Sequence, residues 1–323
     1  MGTNKPGSIG IDVGGSKTLF ALFDDAFHVI EEIKVKTPAE PENFTATLSE
    51  SVESLIKKAG KAKLTIPAIG LGFAGSLDAK KGVVQSAPNI PALEGLSLKK
   101  VLEKVSDAEV CLYNDVNAGL VAEHQLGAAV GYKHVIGIFI GTGIGGAIII
   151  DGKLYAGAGG HAGNIGNYLL QPFGPLAGSA RHGVLDDVAS RTAIAGDAAA
   201  LAAKRLAPYL LESAGTDVRK IKSGALADAI EGGDEAVEEL VRSRAQTIGI
   251  VLSNIVDFLN PEMVVLGGGL TEAMPDIIRE EVAAGIEAHA SENARQGLKI
   301  VTVKLGRHSV TTGAAKLAVD GVR

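Results

Sequence analysis

Apolar residues come in short blocks at the start of the chain, and Ser8–Val13, Thr18–Phe23 and His28–Lys36 read as three successive strands. The period then changes. Phe44, Leu48, Val52, Leu55 and Ile56 recur on one face of a helix over Pro41–Gly60, and Gly60 stops it. Ile66–Gly72 predicts a buried strand running into a loop over Phe73–Asp78, and Val83–Gln85 a short extended piece. Glu109–Tyr113 is a further strand ending at Asn114–Asp115, followed by a helix over Val116–Leu126 with Asp115 near its N-terminus. The apolar hairpin Val135–Ile150 leads into a glycine-rich loop, Gly157–Asn167. Helical periodicity covers Asp187–Glu212, Gly224–Glu231 and Asp234–Leu259, the last closed by Asn260–Pro261. The strand Met263–Leu266 delivers Gly267–Gly268–Gly269. A helix over Met274–Ala288, the strand Lys299–Leu305 and a helix over Thr311–Val319 complete the pattern.

Strands in succession, then a helix and a further strand, repeated loosely in both halves, predict an α/β fold of two related domains with a cleft between them. The expected division is 1–117 for the first domain, joined by the terminal helix 311–323, and 118–310 for the second.

Each half opens with the same device. In Ile11–Asp12–Val13–Gly14–Gly15–Ser16–Lys17–Thr18 and again in Ile140–Gly141–Thr142–Gly143–Ile144, a strand enters a glycine turn carrying a hydroxyl residue and a second strand leaves it. Such a turn is stripped of side chains, so its backbone N–H groups can close on a phosphate. Asp12 stands where the first strand ends. A carboxylate there can hold hydrated Mg²⁺ while amides and hydroxyls take phosphate oxygens. Gly141–Gly146 is succeeded by strand-like Ala147–Ile150 and not by a helix, which excludes a dinucleotide-binding turn. Two such turns, an Asn-Asp between them and a third glycine cluster point to an ATP-dependent phosphotransferase.

Composition narrows the partners. Of 323 residues, 46% are hydrophobic and 21% charged, enough for a large core. The net charge of −6 and the lack of a basic run speak against nucleic acid. Cys111, the only cysteine, lies in the apolar stretch Ala108–Tyr113 and reads as a buried, inert thiol. Met1–Ser8 is short and polar, unlike a secretory signal, and the uncharged stretch Val135–Ile150 is too short and too glycine-broken to span a membrane. A cytoplasmic protein is expected, with no membrane partner.

The motifs Asp12–Val13–Gly14–Gly15–Ser16–Lys17–Thr18, Ser86–Ala87–Pro88–Asn89, Asn114–Asp115–Val116–Asn117–Ala118, Gly141–Thr142–Gly143–Ile144–Gly145–Gly146 and Gly267–Gly268–Gly269 occur in this order over nearly the whole chain. In them the chain resembles the ROK family of sugar kinases and sugar-responsive repressors, within the actin-like ATPase superfamily. The resemblance implies two pseudo-duplicated actin-like (ribonuclease H-like) α/β domains and ATP- and Mg²⁺-dependent phosphorylation of a hexose. Glucose or an N-acetylhexosamine is the expected acceptor, at the 6-hydroxyl. It further implies that Asp12 orients Mg²⁺ through water. Gly14, Gly15, Ser16, Lys17 and Thr18 would cover the phosphates, Gly141, Thr142 and Gly143 would take the β- and γ-phosphates, and Gly267, Gly268 and Gly269 would lie against adenosine. Asp115 would be the base that accepts the proton of the attacking hydroxyl, and Asn114 would hold a neighbouring hydroxyl. The sugar set is completed by Gly75, Asn89, Asn164, Asn167, Asp186 and His161. A homodimer is implied as well. Asp115 has a plainer reading, an ordinary helix N-cap, but its place after a buried strand, where ligand sites of α/β folds gather, favours the catalytic one.

The chain departs from the family at the sugar loop. The family's Gly-Glu-x-Gly-His becomes Gly163–Asn164–Ile165–Gly166–Asn167, and its zinc motif aligns with Ala177–Asp186. Asn167, Ala177, Ser179 and Val184 stand where the four ligands are expected, so no structural zinc is expected. His161 and His182 alone make a poor zinc set. Asp186 shortens the expected Glu. Amides both donate to and accept from hydroxyls, so a polyol pocket is retained in this reading, with an altered preference. Two alternatives stand beside the kinase: a nucleotide-binding protein with altered or lost acceptor specificity, and a sugar-sensing regulator. The regulator is disfavoured by the acidic charge and by the seven residues ahead of the first phosphate strand, too few for a DNA-binding domain.

Overall fold

The structure is a computed structural model that describes residues 4–78, 80–87, 90–171 and 183–322. Residues 1–130 and 304–323 form one compact unit, and 131–303 a second.

In the first unit, β1 (Ser8–Val13), β2 (Lys17–Phe23) and β3 (Val29–Lys36) form an antiparallel meander. After α1 (Pro41–Lys61), the strand β4 (Ala68–Phe73) pairs parallel to β1. A small hairpin of β5 (Ser76–Asp78) and β6 (Val83–Ser86) and the short helix α2 (Leu98–Leu102) lead to β7 (Glu109–Asn114), which pairs parallel to β4. The sheet order is β3-β2-β1-β4-β7, and α3 (Asp115–Leu126) comes directly after. Phe44, Leu48, Val52 and Leu55 of α1 are buried in the same core as Phe20 and Leu22 of β2 and Ile69 and Leu71 of β4, as the helical period requires.

The second unit repeats the plan. β8 (Val135–Ile140), β9 (Ile144–Ile150) and β10 (Lys153–Leu154) are antiparallel. A helical region comes next: α4 (Leu185–Ala189), α5 (Arg191–Ala203), α6 (Pro208–Ser213), α7 (Ser223–Glu231) and α8 (Glu235–Leu259). Then β11 (Met263–Gly267) pairs parallel to β8; α9 (Gly269–Ala273) and α10 (Pro275–His289) precede β12 (Lys299–Thr302), which pairs parallel to β11. The order β10-β9-β8-β11-β12 has the same sequence of antiparallel and parallel neighbours as the first sheet. This is the duplicated α/β plan of the actin-like ATPase fold.

The last helix, α11 (Ser309–Val322), belongs to the first unit and packs on β1, β4 and α3. Glycine makes this seat possible. A side chain at Gly10 would strike the carbonyl of Thr311, one at Gly70 that of Ala314, and one at Gly313 that of Ala118.

Several elements differ from the sequence expectation. The helix expected over Asp187–Glu212 is three helices, because the Ser190 hydroxyl accepts from the Ala193 N–H at 3.2 Å and starts a new one, and Pro208 opens another. The loop expected over Phe73–Asp78 contains strand β5. The strand expected to reach Leu305 ends at Thr302, since the N–H groups of Lys304 and Leu305 turn to the carboxylate of Glu123. Pro275 starts α10, and the separate short helix α9 precedes it. No helix among the described residues is long and apolar enough to cross a membrane.

Candidate active site

In the first unit the parallel strands β1, β4 and β7 end together. Val13 pairs with Phe73, and Phe73 with Asn114, so Asp12, Gly75 and Asp115 lie at one end of the sheet. That is where α/β folds collect ligands. Asp12 is half-buried there. The turn after β1 is closed by the Gly14 N–H, which donates to Lys17 O at 3.1 Å.

Thr37, just past β3, holds this turn from outside. Its N–H donates to Ser16 O at 3.1 Å and its hydroxyl to Gly14 O at 2.7 Å. With that proton committed, the Thr18 hydroxyl is the donor in the 3.0 Å pair with Thr37 Oγ1. Thr18 is buried and its hydroxyl serves the turn's interior, whereas Gly15, Ser16 and Lys17 are exposed. The carbonyls of residues 14, 16 and 17 are thus engaged, and no described group accepts from the N–H groups of Gly15 and Ser16. This is a concavity of open donors suited to an anion.

Asp115 is the first residue of α3, and the cap is its neighbour: Asn114 Oδ1 accepts from the Asn117 N–H at 3.1 Å. The plain N-cap reading of Asp115 is therefore excluded. Its Oδ1 accepts from the Val116 N–H at 2.9 Å and from the Asn114 amide at 3.1 Å, and Oδ2 has no partner among the described residues. Burial raises the carboxyl from 3.8 to about 6, against the opposing pull of the backbone N–H groups and of Asn114. A carboxylate poised near neutrality with one open oxygen can accept a proton. Asn117, a member of the Asn-Asp motif to which the sequence assigns no role, is buried with its Oδ1 unpartnered.

In the second unit the ends of β8 and β11 coincide, Phe139 pairing with Gly267, so Gly141–Gly143 and Gly268–Gly269 share one end of that sheet. The Gly141 N–H donates to Gly143 O at 2.8 Å. Here α5 does what Thr37 does in the first unit. The Arg191 N–H donates to Gly141 O at 3.0 Å and the Thr192 hydroxyl to Thr142 O at 2.8 Å. Again the turn's carbonyls are taken, and no described group accepts from the N–H groups of Thr142 and Gly143. The Ile144 N–H donates to Asp186 Oδ1 at 2.6 Å. Burial raises the Asp186 carboxyl, the Ile144 N–H lowers it, and the charge of Asp187 adds to the rise. Sequence reasoning missed Thr37, Arg191 and Thr192. All three act across tens of residues of chain, with no local motif to mark them.

The loop Gly163–Asn167 ends in a single 3₁₀ turn, Ile165–Asn167, with Asn164 exposed and Asn167 half-buried. Asp186 lies directly against this turn, where a side chain at Gly166 would meet its Oδ1 at 2.6 Å. His161 is exposed. Gly267 ends β11 and is buried, Gly268 takes a left-handed φ of 87° against the Ile140 backbone, and exposed Gly269 begins α9. Asn89, Ala177, Ser179 and His182 lie outside the described residues. Among the described residues, no group of three or more His, Cys, Asp or Glu side chains could hold a metal ion.

Comparison with known proteins agrees with this fold. The glucokinase of Streptomyces coelicolor is 29% identical over 96% of this chain and 97% of its own length. The N-acetyl-D-glucosamine kinase of Photobacterium profundum is 30% identical over 96% and 98%. The crystal structure of a ROK family glucokinase from Streptomyces griseus in complex with glucose and AMPPNP superposes with a TM-score of 0.86 at 28% identity, covering 98% of this chain and all of that one. The ROK family model itself matches residues 8–320, from the first strand of the first sheet to the helix that closes it, and the chain belongs to the ROK family.

Proposed function

We propose that this chain transfers the terminal phosphoryl group of ATP to the 6-hydroxyl of a hexose, glucose or an N-acetylhexosamine. The observation that carries the reading is Asp115, raised to about 6, with Oδ1 fixed by Val116 and Asn114 and Oδ2 open. The relatives that are glucokinases and an N-acetyl-D-glucosamine kinase support the acceptor class, and the AMPPNP complex of the Streptomyces griseus enzyme supports the donor.

In this reading the sugar oxygen attacks the γ-phosphorus while the bond from that phosphorus to the bridging oxygen breaks. ADP leaves, and the hydroxyl proton passes to Asp115. A positioned base contributes about 10²–10⁴-fold. Alignment and charge stabilisation of the phosphoryl group supply the larger share. The open N–H groups of Gly15 and Ser16 and of Thr142 and Gly143 are the donors for phosphate oxygens. Asp12 offers a single half-buried carboxylate, a donor set that suits a Mg²⁺ keeping most of its waters, and that ion would neutralise phosphate charge. Asn114, Asn164, Asn167 and Asp186 are the polar groups assigned to sugar hydroxyls, and Gly268–Gly269 the backbone assigned to adenosine.

The test is ADP release with ATP and Mg²⁺ across hexoses, N-acetylhexosamines and sugar acids, with Asp115→Asn as control. Turnover on one sugar, lost in the variant, is expected. ATP binding without turnover on any sugar would replace the kinase by a nucleotide-binding protein that has lost its acceptor.

A further inference from the structure

Arg191 differs from the other described arginines. Arg219, Arg242, Arg244, Arg279, Arg295 and Arg307 each pair with a carboxylate, and Arg205 is exposed. Arg191 is half-buried and forms no ion pair among the described residues. Its guanidinium reaches only neutral oxygens: Thr142 Oγ1 at 3.2 Å, Thr192 Oγ1 at 3.5 Å and Ile221 O at 3.4 Å. Neither of the carboxylates nearest in sequence pairs with Arg191, although Asp186 lies against Gly143 of the same turn. Asp186 accepts from the Ile144 N–H, and Asp187 Oδ2 accepts from the Val184 N–H at 3.4 Å. Burial lowers the Arg191 pKa, and no neighbouring charge opposes it. A charge drawn partly out of water without a counter-charge is disfavoured until something anionic supplies one.

The position of this cation is fixed by the turn it serves. The backbone N–H of the same residue holds Gly141 O, and the side chain touches the hydroxyl of Thr142. The turn's own open N–H groups, on Thr142 and Gly143, are neighbours of that contact. Two backbone donors, a hydroxyl and an unpaired planar guanidinium therefore converge on one short segment. A guanidinium presents two parallel N–H donors that match two oxygens of a phosphate.

We propose that Arg191 binds the anionic phosphate chain of the phosphoryl donor at the 141–143 turn and sets the preference of that turn for an oligophosphate over a neutral nucleoside. The proposal rests on the phosphoryl-transfer reading and adds to it a donor-binding residue that no glycine motif announces.

The experiment is calorimetric titration of the full chain with ATP, adenosine and inorganic tripolyphosphate, for the wild type, Arg191→Ala and Arg191→Lys, with a thermal melt of each. Arg191→Ala is expected to weaken ATP and tripolyphosphate by about tenfold or more and to leave adenosine unchanged. Arg191→Lys, which keeps the charge and loses the fork, should fall between. Equal affinity of wild type and folded variants for both phosphate probes overturns the proposal, as does a wild type that binds neither. If Arg191→Ala does not fold, Arg191→Lys decides, and unchanged affinity in it is equally fatal. Arg191-dependent binding of tripolyphosphate in a protein that phosphorylates no sugar would sustain the proposal while the kinase reading fails.

Discussion

The hydroxyl of Ser309 donates to Glu123 Oε1 at 2.8 Å, inside a pocket where Glu123 is fully buried. The same carboxylate accepts from the N–H groups of Ala128, Lys304 and Leu305, each at 2.9 Å. One side chain on α3 thus fixes the loop that leaves this helix and the segment that enters α11. Glu123→Ala would leave three part-buried N–H groups without their acceptor, while the Ser309 hydroxyl keeps Gly306 O at 2.9 Å. The substitution should lower stability by about 3 kcal/mol or more, read as a shift in the urea midpoint at constant slope. A midpoint unchanged from wild type would mean that water replaces the carboxylate there.

For Asp115 the activity prediction rests on its elevated carboxyl. Below about pH 6 the acid form predominates and cannot accept the hydroxyl proton, so kcat should rise with pH and level off above that value. Asp115→Asn should lose about 10²–10⁴-fold in kcat and keep its affinity for ATP. A flat profile between pH 5 and 7 in the wild type would remove Asp115 from the role of base.

The same carboxyl also makes a stability prediction of opposite sign to most acidic residues. Its folded value lies above the unfolded 3.8, so the fold holds the proton more tightly and loses stability as pH climbs from about 4 through about 6. Full ionisation costs at most about 3 kcal/mol. Asp115→Asn removes that penalty, so the variant should gain on the wild type in melts at pH 8 relative to melts at pH 4. Equal differences at the two pH values would show that burial does not perturb this group.

Thr37→Val tests the support of the first turn. It deprives Gly14 O of a donor and the Thr18 hydroxyl of its acceptor, at a cost of about 1–3 kcal/mol. KM for ATP should rise with KM for the sugar unchanged. The converse pattern would place the turn on the sugar side of the reaction.

Gly313→Ala tests the seat of the last helix. A methyl group there meets the carbonyl of Ala118, which cannot move without displacing α3. Destabilisation of about 3 kcal/mol or an insoluble product is expected, while Gly321→Ala, where nothing lies within 4 Å, should be silent.

The legibility of each feature in the sequence tracks the range of the interactions that create it. The strands of both sheets other than the two-residue β10, and helices α1 and α8, are visible in local periodicity, and the two glycine turns in their composition, because each is decided by residues adjacent in sequence. The three-way split of the α4–α6 region was hidden, since its alanine-rich run carries helical periodicity straight past Ser190. The early end of β12 was also hidden, because the competing acceptor, Glu123, lies some 180 residues earlier in the chain. Within the candidate site, the glycine turns and Asp115 at the sheet ends were legible as motif. Thr37 and Arg191 were not, since a buttress is recognisable only once the sheet has brought it to the turn. Thr18, read as a phosphate ligand, turned inward for the same reason.

The return of α11 to the first sheet has a consequence for synthesis on the ribosome. Residues 131–303 form a contiguous segment and can complete their core as soon as they emerge. The first sheet, made earlier, lacks the helix that covers β1 and β4 until residues 309–322 are added. The second unit is thus complete in sequence before the first, the opposite of the usual arrangement in which the N-terminal unit is finished first. The nascent first half exposes the small-residue groove around Gly10 and Gly70 throughout translation of the second, and this is the interval in which a chaperone would be needed.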